Sequence, residues 1–131
     1  MPREVHRFDS RLNFSLRQVT RYCETHTDVA DPLLKELERE THLKTLAPQM
    51  ISGPLQGQLL RFLSYMLQPR YALEIGTFTG YGTLCLAAGV PSGGKLVSVE
   101  VNPELRYLAE KYVEKAGLSD RVELITGDAA D

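Results

Sequence analysis

Several large protein classes are closed to this sequence by what it lacks. Among 131 residues there are two cysteines, Cys23 and Cys85, and their spacing fits neither a metal knuckle nor a redox pair. The expectation is two reduced thiols in a cytoplasmic protein. No apolar run approaches about 18 residues, so no membrane span is expected. The first ten residues, M-P-R-E-V-H-R-F-D-S, are polar and lack the apolar centre of a signal peptide. There is no excess of basic charge: the net charge of -2 gives no bulk attraction to nucleic acid or to an anionic membrane, although a local basic patch stays open. His6, His26 and His42 have no metal spacing and read as surface or packing residues. Internal repeats and low-complexity segments are missing. What is left is an ordinary soluble composition, long enough for one domain with one core.

The informative stretch is Tyr71 to Gly82, Y-A-L-E-I-G-T-F-T-G-Y-G. It reads as a short buried strand carrying Tyr71, Leu73 and Ile75, then a turn with three glycines, then a helix through 84–88. Glycine in such a turn lets a ligand approach the backbone. Upstream, Leu12, Leu16, Val19 and Cys23 form a helical stripe, and residues 1–9 read as polar and loose. Asp31-Pro32 begins a second helix, carrying Leu33, Leu34, Leu37 and Leu46, with a charged face read as solvated. Pro48 stops it. A third helix starts at Pro54 with Ser52 or Gly53 as its cap, and Leu55, Leu59, Leu63 and Met66 line one face.

Downstream of the glycine turn, a second strand runs from Lys95 to Val99 and ends in Glu100. Asn102-Pro103-Glu104 starts a helix, Gly117 ends it, and a third strand spans Arg121 to Thr126. The predicted fold is α/β: about three helices, then a Rossmann-like β-α-β-α-β half with a parallel sheet and right-handed crossovers. One domain covers 1–131, with a helical cap at 1–69 and the cofactor-binding half at 70–131.

Ligands of open parallel sheets bind at the carboxyl ends of the strands. A dinucleotide site carries G-x-G-x-x-G there. This chain has E-x-G-x-x-x-G-x-G instead, with Glu74 two residues before the first glycine. An acid at that point repels a pyrophosphate and suits an amino group or a sulfonium. Glu100 is placed to accept hydrogen bonds from both hydroxyls of a ribose. Adenosine with a cationic amino-acid tail satisfies both acids, and that ligand is S-adenosylmethionine. Bland readings stand beside these: a cap or buried ion pair for Glu74, an exposed strand end for Glu100, plain packing for Phe78 and Tyr81, and a cap for Asp128.

The motifs L-E-I-G-T-F-T-G-Y-G, V-S-V-E-V-N-P-E and E-K-A-G-L-S-D-R-V-E-L-I-T-G-D-A resemble those of class I S-adenosylmethionine-dependent O-methyltransferases. The similarity is to the cation-dependent catechol and caffeoyl-CoA group, and P-Q-M-I-S-G-P-L-Q-G-Q resembles that group's segment before the third helix. The resemblance runs from about Ala47 onward; residues 1–46 match it only loosely, as helices that cover the active site. It implies that Glu74 and Gly76 line the methionine part of the cofactor, with Thr77 and Phe78 in the same turn. Tyr81 and Gly82 close around its carboxylate. The family often has serine where Gly82 stands, so that contact falls to the backbone N–H. Glu100 holds the ribose, Val101 lies against the adenine, Asp128 and Ala129 sit at the adenine edge, and Met50 and Ser52 reach the cofactor from the helical lid.

The family's sheet has seven strands, of which this chain carries three. The acids that hold its divalent metal, magnesium, match no stretch here, so no metal or catalytic residue is assigned. The expected function is methyl transfer to a hydroxyl of a catechol-like, hydroxycinnamoyl or similar small molecule. A hydroxylated transfer-RNA base is a further acceptor class. The alternatives are an inactive cofactor-binding or interaction module and, with less support, a fragment of an NAD-dependent oxidoreductase. A bare first strand implies a homodimer.

Overall fold

The computed structural model describes residues 10–28 and 31–131, without the side chains of 10–15. The readings of 1–9 as loose and of His6 lie outside the described residues, as does the side chain of Leu12. The elements are α1 (Ser10–Thr25), α2 (Pro32–Lys44), a 3-10 turn (Pro48–Met50), α3 (Gly53–Leu67), β1 (Tyr71–Ile75), α4 (Tyr81–Ala87), β2 (Lys95–Glu100), a 3-10 turn (Pro103–Leu105), α5 (Arg106–Lys115) and β3 (Val122–Thr126). The three strands form one parallel sheet in the order β1-β2-β3. Among the described residues no helix is long and apolar enough to cross a membrane.

Local signals account for most boundaries. Asp31 Oδ1 accepts the Leu33 N–H at 2.8 Å and Pro32 opens α2. Asn102 Oδ1 accepts the Glu104 N–H at 3.0 Å, and the chain makes a 3-10 turn before settling into α5. Gly117 stands at φ +68° just beyond α5. Ser52 stands at the N-cap of α3, one of the two positions expected. Its backbone already has helical φ and ψ, and its side chain makes no capping bond.

One face of the sheet is covered. Leu96, Ser98 and Val122 lie under α4 and α5, in a core with Leu34, Leu37, Tyr81, Leu84, Leu108 and Tyr112. Helix α2 belongs to this core. Thr41, fully buried, meets the equally buried Thr79 of the glycine turn at 2.8 Å between hydroxyls. Thr41 donates its proton to the Leu37 carbonyl, so Thr79 is the donor between them.

The other face is bare, and this corrects the reading of β1 as buried. Tyr71, Leu73 and Ile75 are 73%, 65% and 69% exposed, because no helix among the described residues lies over them. Parallel sheets are ordinarily covered on both sides. Leu55, Leu59, Leu63 and Met66 line one face of α3, and that face is exposed. The face that α3 buries carries Gly57 and Ser64, and its close approach is to α4. A Cβ on Gly57 would stand 2.6 Å from the Tyr81 ring, so glycine sets that spacing.

Two further expectations change. Leu46 lies beyond the end of α2 and is exposed. The charged face of α2 is not simply solvated: Glu40 Oε2 accepts from Lys111 Nζ at 2.6 Å and Tyr112 Oη at 2.5 Å, and Lys44 holds Oε1. Glu36 pairs with Lys115 at 2.5 Å. These pairs dock α2 onto α5, while Lys35 and Arg39 remain exposed. His26 and His42 bond backbone carbonyls of their own segment and are exposed, as surface residues.

Candidate cofactor site

The carboxyl ends of β1 and β2 bring Glu74, the glycine turn and Glu100 together. Gly76 N–H and Thr77 N–H both donate to the Val99 carbonyl, at 2.8 and 3.3 Å, which fastens the turn to β2. Gly76 and Gly80 have φ of +92° and +96°, backbone that glycine adopts without strain. Phe78 between them is at φ +51° and has a side chain. Its N–H donates to Glu100 Oε2 at 2.7 Å, and the other carboxylate oxygen accepts the Asn102 N–H at 2.9 Å. Each oxygen of Glu100 keeps a further lone pair, so the group is oriented and still able to accept.

Glu74 is held differently. It lies in register with Ser98 of β2, and both project to the covered side of the sheet. Its Oε2 accepts from Ser98 Oγ and from Thr83 Oγ1, each at 2.6 Å. Burial pushes the Glu74 carboxyl above its ordinary range, and the hydroxyls of Ser98 and Thr83 pull against that rise. Neither bland reading fits: Glu74 caps no helix, and among the described residues no Lys or Arg pairs with it. Its Oε1 stands 2.8 Å from where a Cβ on Gly82 would be, with Ser52 Oγ at 3.3 Å from the same point. Gly82, Ser52 and Glu74 thus meet at one spot.

The remaining candidates are spread around this centre. The Tyr81 ring is 2% exposed and belongs to the core, where burial raises its phenol, so only its backbone faces the turn. Thr77 is buried and bonds Ser98 Oγ at 2.5 Å. Met50, in the 3-10 turn before α3, and Val101, just after β2, are exposed apolar groups. Asp128 and Ala129 follow β3 in an exposed turn, where Asp128 Oδ1 accepts the Ala130 N–H at 2.9 Å. Sequence reasoning passed over Thr83 and Ser98. A hydroxyl residue two before Glu100 on β2 was the available signal for Ser98, but its pairing with Glu74 needs the strand register.

A parallel sheet with a glycine turn after its first strand and an acid at the end of its second defines a nucleotide-cofactor-binding α/β domain. Its acid inside the turn motif separates it from dinucleotide sites. The chain belongs to the O-methyltransferase family, whose model matches residues 23–131. It is 36% identical over 84 residues to a catechol O-methyltransferase of Niastella koreensis, covering 64% of this chain and 38% of the relative. A caffeoyl-CoA O-methyltransferase of Stellaria longipes is 34% identical over 96 residues, covering 73% and 39%. Among solved structures, the O-methyltransferase from Bacillus cereus in complex with SAH superposes with a TM-score of 0.77 at 36% identity, covering 87% of this chain and 51% of that one. The chain therefore spans about two fifths of these curated relatives and half of the solved one.

Proposed function

We propose that this chain forms the S-adenosylmethionine-binding part of an O-methyltransferase acting on a hydroxyl of a small molecule. The observation that carries the reading is Glu74: a partly buried acid that no Lys or Arg pairs with among the described residues, with one oxygen turned toward Gly82 and Ser52. Withdrawing a carboxylate from water without a counter-charge is costly, and a cationic ligand offsets that cost. In this reading Glu74 takes the amino group of the cofactor and Glu100 takes the ribose hydroxyls. Gly76, Thr77, Phe78, Tyr81 and Gly82 line the turn through their backbone, and Ser52 and Met50 close from the α3 side. Val101, Asp128 and Ala129 surround the adenine.

When bound, S-adenosylmethionine would supply an electrophilic methyl group: the O–CH3 bond to the acceptor would form as the S–CH3 bond breaks in line, the thioether would leave with the electron pair, and the hydroxyl proton would pass to solvent. The relatives named for catechol and caffeoyl-CoA support a phenolic acceptor. Magnesium belongs to the expectation for the family. Among the described residues no three of His, Cys, Asp and Glu converge into a metal set, so the donors present do not fit the ion and no step is derived through it. The two unpaired cysteines support a cytoplasmic setting. The apolar face of β1 supports a homodimer formed through that strand.

The test is a calorimetric titration of this chain with S-adenosylhomocysteine, with NAD as comparison. Binding of the first alone is expected. Binding of NAD alone, or of neither by a chain that circular dichroism shows to be folded, overturns the reading; the second outcome leaves an interaction module.

A further inference from the structure

We infer that Thr83 and Ser98 are positioning residues for Glu74: by occupying one carboxylate oxygen from the inside they present the other to the cationic group of the ligand. The inference rests on the reading of Glu74 above and deepens it. Three observations carry it.

The first is the distribution of partners. Both hydroxyls donate to the same atom, Oε2, each at 2.6 Å. They reach it from different elements, Thr83 from the first turn of α4 and Ser98 from the middle of β2, and both are fully buried. Two donors from two elements fix the plane of the carboxylate as well as its position.

The second is a relay. An ionised carboxylate only accepts, so Ser98 commits its single proton to Glu74. Thr77 Oγ1, 2.5 Å from Ser98 Oγ, must then be the donor to it. Three hydroxyl groups pointed in one sense polarise toward the acid, and no competing tautomer is open while Glu74 is charged.

The third is the free oxygen. Oε1 lies close enough to Gly82 that a Cβ there would meet it at 2.8 Å. A flexible carboxylate would swing aside from such a contact, but this one is pinned through Oε2. The absence of a side chain at Gly82 and the presence of two hydroxyls behind Glu74 are parts of one arrangement.

The charged surroundings do not supply a rival explanation. Glu100 and Lys95 are on β2, Arg61 is on α3, and Tyr81 and Cys85 are on α4. Of these, the Cys85 thiol is the group that senses the Glu74 charge, and burial pushes that thiol up to about 12, so it stays neutral. The hydroxyls oppose the rise that burial imposes on the Glu74 carboxyl, since hydrogen bonds to the charged form favour it.

The experiment has two arms on the same variants. In the ligand-free chain, the side-chain carboxyl of Glu74 is titrated by carbon-13 NMR, its signal identified by its loss in Glu74→Gln. Thr83→Val is expected to move the titration to higher pH, Ser98→Ala to do the same, and Thr83→Ser to restore the parent value. In the second arm, S-adenosylhomocysteine affinity at neutral pH is expected to fall roughly tenfold or more in Thr83→Val, the loss of one hydrogen bond to a charged group. Thr83→Ser is expected to recover it. Should Thr83→Val fail to fold, Ser98→Ala carries both arms. An unchanged titration and affinity in a folded Thr83→Val or Ser98→Ala, with Glu74→Gln unable to bind, overturns the inference alone. Undiminished binding by Glu74→Gln overturns the site reading and the inference with it.

Discussion

The backbone N–H of Phe78 and the carboxylate of Glu100 are 2.7 Å apart, so the acid at the end of β2 also holds the glycine turn after β1. Phe78 has φ +51°, a conformation that costs a residue with a side chain about 1 kcal/mol or more. A charge-assisted hydrogen bond offsets that cost. Glu100→Ala is therefore expected to speed hydrogen exchange at the Phe78 amide by roughly tenfold or more, as loss of a bond to a charged group implies. Glu100→Gln, which keeps one acceptor, should show a smaller change. Exchange followed by NMR decides it; equal rates in parent and Glu100→Ala would detach the turn from Glu100.

Glu40 governs an acid window. Its bonds to Lys111, then Lys44, then Tyr112, hold its carboxyl down from 4.5 to about 2. A depressed acid contributes stability above its unfolded value, and that contribution disappears as pH falls from 4.5 through about 2. Glu40→Gln should be less stable than the parent at neutral pH and lose less stability across that window. The lysines are about two fifths exposed, so solvent screens the pairs and the effect is modest. Thermal denaturation as a function of pH tests it.

Gly89 sits where α3 and α4 meet, and a Cβ there would fall inside the contact radius of the Ser64 carbonyl carbon and oxygen. The backbone cannot yield cheaply, because Ser64 Oγ also donates to the Leu86 carbonyl at 2.5 Å. Gly89→Ala is expected to destabilise the fold by about 2 kcal/mol or more. Gly127→Ala, with open space around its added carbon, is the control and should stay within about 0.5 kcal/mol. Urea denaturation of the two variants makes the comparison.

The proposed homodimer runs through the bare face of β1. Leu73, at its centre, pairs in register with Val97 and is exposed. Leu73→Lys is expected to give a monomer where the parent sediments as a dimer, because a charge on an apolar sheet face opposes association. A parent that is monomeric at every concentration in analytical ultracentrifugation would rule out the pairing.

The sequence by itself determined the order of elements and the place of the site. The caps at Asp31 and Asn102, the prolines beside them and the left-handed glycines are local devices, each readable from a few neighbouring residues. Glu74 and Glu100 were legible too, because Glu100 closes β2 and Glu74 stands one residue before the end of β1, both strands that an apolar pattern marks. Only the tertiary structure decided which apolar stripes are buried. Leu73 and Leu96 look alike in sequence, yet one is bare and the other fully buried, since burial depends on what lies over the strand. The same holds for the partners of Glu74. Ser98 reaches it through strand register and Thr83 through the entry angle of α4, neither of which a linear pattern encodes. Likewise, the charges of α2 read as solvated until α5 brought Lys111 and Lys115 against them. Local backbone preference is written along the chain; pairing between distant segments is fixed when the chain packs.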